Sequence, residues 1–174
     1  FSHKTFNEIA DYHDVRYVGD KGKALGEYAP KITEIGQIFL DHNMEEIAGL
    51  GLVHRHFKLV KGEMKVATQD GNQVRIAARK ISDLHMQFVV PYFFKVTRTE
   101  AGGVSLIPLE YAEHKDNPAL FAELCKAYAA IKNEAFLLDF LKVTSKLAVG
   151  EIFGIVLNAR DNIQIKDDEG KLET

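Results

Sequence analysis

The chain has 174 residues, a formal net charge of −3, 46% hydrophobic and 27% charged residues, and one cysteine. That length suits one α+β-sized domain, expected here over residues 1–174 with a polar tail from about 161, and it buries enough surface to fold without a disulfide or metal. The charge offers no footprint for nucleic acid, and no apolar run approaches the ~18 residues of a membrane span.

The lone thiol, Cys125, cannot close an internal disulfide, which favours a reducing, cytoplasmic setting. The first residue is Phe1, so a targeting peptide could precede it. In chain order, Lys4 to Asp14 reads as a short helix with Phe6, Ile9 and Ala10 on one side. Gly19 to Gly26 reads as loop. Pro30 opens a helix to about Asn43, with Ile32, Ile35, Phe39 and Leu40 as its apolar stripe.

The period then changes. Leu50 to Phe57 is apolar on both faces and reads as a covered strand. Lys61-Gly62 marks a turn, and Glu63–Gln69 and Gln73–Ile81 flank Asp70-Gly71-Asn72 as a hairpin. Met86 to Thr97 and Val104 to Tyr111 form a second hairpin, in which Pro91 and Pro108 each demand an edge position or a bulge. Asn117-Pro118 is a helix start, followed by Leu120, Leu124, Tyr128 and Ile131. Another helix runs from about Glu134 to Leu147, and Gly150 ends it. Glu151 to Asn158 is a last strand, and Ile163 to Ile165 a short edge strand in the tail. Helices, a block of strands, two helices and one strand predict an α+β fold: a curved, mainly antiparallel sheet of five or six strands with helices on one face.

Candidate chemistry centres on His54-Arg55-His56. On a strand, both imidazoles point the same way, on the face of Leu50 and Leu52, and therefore inward. As pocket-lining groups they would be satisfied by buried carboxylates or carbonyls. As metal ligands, His54 and His56 need a third donor to hold a divalent ion, with His85, Glu63, Glu110 and His114 as candidates. As an acid or base, either histidine titrates near neutrality. Phe88, Tyr92 and Phe94 read as one strand face that could wall an apolar cavity. The ligand-binding set is thus His54, His56, His85 and Tyr92. Cys125 sits inside a helix and reads as an inert thiol. Gly49-x-Gly51 lacks the third glycine of a nucleotide loop. Asp11-Tyr12-His13-Asp14 reads as surface.

Gly49 or Gly51, then His54, His56 and Glu63, resemble the first cupin motif, although the glutamate comes a few residues late. The second cupin motif is absent, because Pro108 lacks a following glycine, and two long C-terminal helices fit that barrel poorly. Gly51-Leu52-Val53-His54-Arg55-His56-Phe57 with Gly62-Glu63, and Pro91 through Phe94 with Pro108-Leu109-Glu110-Tyr111, resemble a group of fungal proteins to which no activity attaches. The resemblance spans about a third of the chain. It implies that the histidine strand belongs to a recurring framework, and it implies no activity.

Two functions follow as expectations. The first is a module that binds a small molecule or a partner chain through an apolar pocket or surface. The second is a small enzyme using His54 or His56 as metal ligand or general base. An exposed edge at the proline-bearing strands would support a homodimer.

Overall fold

The computed structural model describes residues 2–15, 24–70 and 73–158. Of the expected loop Gly19–Gly26, residues 19–23 lie outside the described residues, as do the Gly71-Asn72 turn tip and the tail with its short strand, and the loop's expected end, Ala24–Gly26, is helical instead. Six strands form one open mixed sheet: β1 (Ala48–Leu52), β2 (Glu63–Asp70), β3 (Gln73–Lys80), β4 (Val89–Arg98), β5 (Val104–Glu113) and β6 (Phe153–Leu157). Their order is β1-β6-β4-β5-β2-β3, and every pair is antiparallel except β2 with β5. Because β1 and β3 lie at opposite ends of this order and do not pair with one another, the sheet is not a closed, cupin-like barrel.

The helices are α1 (His3–Asn7), α2 (Tyr12–Val15), α3 (Ala24–Glu27), α4 (Ala29–Asp41), α5 (Pro118–Ala130) and α6 (Glu134–Lys146). The caps follow the sequence closely. Asn117 accepts from the Leu120 amide and Asn133 from the Phe136 amide, each satisfying an orphan N–H of the first turn. The α6 helix stops at its Leu147 cap, where it was expected to end, and Ala148 at φ +56°, rather than Gly150, takes the left-handed position that follows. The expected N-terminal helix is broken into α1 and α2, because the chain at Ala10 and Asp11 leaves it to bridge to Arg55.

The long helices bury their stripes on one side of the sheet. Ile35 and Phe39 of α4, Leu120 and Leu124 of α5, and Phe136 and Phe140 of α6 pack with Phe94, Phe153 and Ile155. Ile32 and Leu40, expected in the α4 stripe, are instead exposed. Phe93, the neighbour of Phe94, serves a second cluster with Phe6, Ile9, Val53, Leu59 and Leu109. Consecutive residues of one strand thus serve two cores, as the pleat requires. The N-terminal segment covers what the long helices leave open.

Two glycines permit that second core. Gly51 of β1 pairs with Gly154 of β6, and the Phe93 ring lies over both. A Cβ on Gly51 would meet Phe93 Cε2 at 2.7 Å, and one on Gly154 would meet the Phe94 carbonyl oxygen at 2.3 Å.

The prolines sit in interior strands, not edge strands, and the bulge is the option that the fold takes. The β4–β5 register slips on both sides of Phe93, so that Tyr92 and then Leu109 lack direct partners. The β4–β6 ladder covers only Phe93 and Phe94, and the β2–β5 ladder only Tyr111 to Glu113. Pro91 and Pro108 therefore lie outside the ladders on those edges, where a missing N–H costs no rung.

Candidate functional site

The β1 strand ends at Leu52, five residues before its expected end, because its partner runs out. The Val53 amide takes the carbonyl of Ile152 at 2.7 Å, and Leu52 opposite Phe153 is the last paired residue of β1. The His-Arg-His segment therefore lies beyond the strand, and strand alternation does not set its side chains. A segment from the N-terminus replaces the missing partner. The Arg55 amide donates to the Ala10 carbonyl at 3.0 Å, and the Tyr12 amide donates to the Arg55 carbonyl at 2.9 Å. Below this short parallel bridge, the Asn7 side chain accepts from the Leu59 amide and donates to its carbonyl, both at 2.8 Å. Phe6 and Ile9 are buried beside Val53 and Leu59.

Arg55 closes the arrangement. Its guanidinium donates to the Ile9 carbonyl at 3.0 Å and to the Asp11 carboxylate at 2.9 Å. With Asp11 held, Tyr12 stacks on His56, ring centroids 4.8 Å apart and 30° between planes, and lies 5.2 Å from the His54 ring. The stretch Asp11 to Asp14, read from sequence as plain surface, thus supplies an aromatic wall.

The imidazoles meet at the Nε2 atoms, 2.9 Å apart. His54 Nδ1 lies 2.9 Å from the Leu52 carbonyl oxygen. A carbonyl only accepts, so Nδ1 carries the proton and the Nε2 of neutral His54 carries a lone pair. His56 then donates from its Nε2. Burial lowers the pKa of half-buried His54, opposed by the Leu52 hydrogen bond; Lys65 and His56 lower it further, and Glu110 raises it. His56 is exposed, so the pair spans the boundary between protein and water. The inward view expected for both rings holds for neither fully.

The charges that act on His54 belong to a buried network that sequence reading did not assemble. Lys65 on β2 forms an ion pair with Glu110 on β5, and Tyr92 on β4 donates to the other oxygen of Glu110 at 2.5 Å. Lys65 is 2% exposed and Glu110 is 7% exposed. Tyr92 and Glu110 both lie at the double bulge, which aims them at one another. Burying such a pair gives little net stability compared with apolar packing, so its presence in the sheet centre marks a functional candidate. The signal in the sequence was Lys65 within an otherwise apolar run, Met64-Lys65-Val66-Ala67.

The other expected site residues lie elsewhere or have other work. The Glu113 carboxylate accepts from the His85 backbone amide at 2.8 Å and lies 3.1 Å from its ring Nδ1. Burial alone would raise the pKa of Glu113, but these two hydrogen bonds, together with the positive charges of Arg79 and His85, outweigh it and hold the carboxyl below its usual range. Glu63 accepts from the Val60 amide at 3.0 Å and closes the turn at Gly62. His114 is buried, its Nδ1 has no hydrogen-bond partner among the described residues, and burial lowers its pKa. Among the described residues, no group of three or more His, Cys, Asp or Glu is gathered that could hold a metal ion. Phe88 precedes β4 in a short 3₁₀ turn and packs edge-on to Phe121, while Phe94 stacks on Tyr128 at 5.3 Å and 7°. Two of the three aromatics expected to wall a cavity are therefore packed against α5. Cys125, half-buried, packs beside the same core.

Among the described residues, no helix is long and apolar enough to cross a membrane. The fold and site define an α+β protein with an open mixed sheet and a histidine pair beside a buried ion pair. Comparison with family models, curated proteins and solved structures finds no match to the chain.

Proposed function

We propose that this protein binds a small polar molecule at the cluster of Tyr12, His54 and His56, with the Lys65–Glu110–Tyr92 network as its charged floor. One observation carries the reading. Two imidazole nitrogens converge at 2.9 Å on the solvent boundary, one with its tautomer fixed by a backbone carbonyl. A fixed lone pair, a mobile donor and a flat aromatic wall are the parts of a hydrogen-bonding site for a small ligand. An apolar pocket finds less support, since Phe88 and Phe94 are already packed on α5.

A second reading, a small enzyme with His54 as general base, is favoured by the depressed pKa of that residue. A neutral imidazole near pH 7, hydrogen-bonded to a second imidazole at the protein surface, is equipped to take a proton from a bound molecule.

A fragment screen by ¹H–¹⁵N NMR on isotope-labelled protein tests the binding reading. Small carboxylates, amides and carbonyl compounds are expected to move the signals of Tyr12, His54 and His56 together. Hits that cluster elsewhere, and leave those three unmoved, would overturn it.

A further inference from the structure

We infer that two copies of this chain pair reciprocally, the acidic segment 168–173 of each docking as an added antiparallel strand on the outer edge of β3 of the other. The inference does not use the histidine cluster, so it stands or falls apart from the ligand-binding reading.

The two edges of the sheet are unlike. At β1 the chain closes its own edge: the Ala48 amide donates to the Met44 carbonyl at 2.9 Å, and His54 Nδ1 donates to the Leu52 carbonyl at 2.9 Å. At β3 it leaves the edge open. The Ile81 amide donates to the Gly62 carbonyl at 2.8 Å, which sets the alternation of the β2–β3 ladder. Val74, Ile76 and Ala78 therefore turn their N–H and C=O groups away from β2. Among the described residues, no hydrogen bond reaches those groups and no strand lies beyond them.

An open edge is a template for another strand, and its side chains decide which one. Arg75 and Arg79 lie on one face of β3, Ile76 and Lys80 on the other, and Arg75 and Lys80 are exposed. Two β3 edges brought together would set cations against cations. An acidic strand is the complement, because opposite charges across a strand pair stabilise it. The chain carries such a segment. Residues 159–174 lie outside the described residues, and their sequence holds Asp167, Asp168, Glu169 and Glu173 with no proline. Only one register of that sequence sets an acid opposite all three cations, and it is antiparallel: Asp168 to Lys80, Glu169 to Arg79, Glu173 to Arg75. The same register sets Leu172 opposite Ile76.

The register also selects the source of the strand. β6 and β3 run in opposite directions, so Asn158 stands at the Gln73 end of the sheet, whereas Asp168 must stand at the Lys80 end. Within one chain the path crosses five strand spacings and the length of β3, about 33 Å along the sheet. The ten residues from Asn158 to Asp168 reach at most about 33–36 Å when fully extended. A second copy is free of that constraint, and a two-fold axis lets each chain supply the strand that the other lacks.

Sedimentation velocity on the full 174-residue chain tests the inference. The wild type should show a concentration-dependent dimer in low salt that dissociates at about 1 M salt, where the screening length falls to about 3 Å. Two double variants probe the register, Arg75→Glu with Lys80→Glu on the edge and Asp168→Lys with Glu173→Lys on the segment. Arg79 is left in place because it acts on Glu113. Each variant alone should dimerise at least tenfold more weakly than the wild type. An equimolar mixture of the two should recover the dimer, since every strand then meets the opposite charge. A wild type that stays monomeric in low salt, or a mixture no stronger than either variant, as docking within one chain would give, overturns the inference.

Discussion

The guanidinium of Arg55 holds the carboxylate of Asp11 at 2.9 Å, and this pair carries Tyr12 onto the two imidazoles. The residue between the histidines thus builds the wall against which they work. Arg55 is bonded to the backbone of Ala10, Ile9 and Tyr12 as well, so one side chain and two main-chain groups fix the whole crossing.

Arg55→Ala should therefore loosen residues 2–15 before it affects the sheet. A partly exposed charged hydrogen-bond pair of this kind contributes about 1–2 kcal/mol. Hydrogen exchange should show faster exchange at Tyr12, with β4 and β5 protected as before. Uniform loss of protection across the sheet would show that Arg55 holds the fold rather than the site.

The Lys65–Glu110 pair predicts a non-additive mutant cycle. Lys65→Met alone leaves a buried carboxylate without its counter-charge, still accepting from Tyr92, and Glu110→Leu alone leaves a buried ammonium; either should cost about 3–5 kcal/mol. The double variant should regain most of that loss in urea denaturation. Additive losses would mean that the two charges do not depend on one another.

Gly154→Ala should be among the most damaging single methyl additions in the chain. The new Cβ would sit 2.3 Å from a backbone oxygen, which only a shift of β4 or β6 can relieve. The expected loss exceeds ~3 kcal/mol, against less than ~1 kcal/mol for Gly49→Ala, where the nearest atom is a side-chain oxygen at 3.4 Å. Similar urea midpoints for the two variants would contradict the close approach of β4 to β6 at Gly154.

Stability should fall on mild acidification. His54 and His114 both have folded pKa values below the usual 6.5, so the unfolded chain binds protons first. Their penalty is absent above about pH 6.5 and grows as pH falls below it toward the folded values. Glu113 adds a separate loss at lower pH, because the stability from its depressed pKa is full above about 4.5 and is lost as pH falls from there through the lower folded value. His114→Leu removes a buried nitrogen with no described partner, and should flatten the slope between pH 6.5 and 5 without loss at pH 7.5. An unchanged slope would remove His114 from this account.

Much of the fold could be read from the chain because local signals agreed with it. Asn117-Pro118 started a helix where the rule places one, and the glycine turn between β2 and β3 marked a hairpin. The prolines called for an edge position or a bulge, and the fold answers with the bulge, since their strands are interior. Long-range partners were not legible. The length of β1 depends on where β6 ends, and the break between α1 and α2 depends on Arg55, 43 or more residues away. The imidazole pair was legible as a pair, yet for a reason that failed. Its geometry comes from a backbone carbonyl and a stacked tyrosine, not from strand alternation. Glu110 and Tyr92 were each noticed, but only the double bulge shows that they meet Lys65.

The central claim is that His54 and His56 act as one unit, with His54 neutral and protonated on Nδ1. Long-range ¹H–¹⁵N NMR of the imidazoles across pH 4 to 9 tests it directly. The predicted result is an Nδ1–H tautomer for His54, a midpoint below 6.5, and an upward move of that midpoint in His56→Ala, since His56 helps to lower it. An Nε2–H tautomer with a midpoint at or above 6.5, unmoved by His56→Ala, would contradict it.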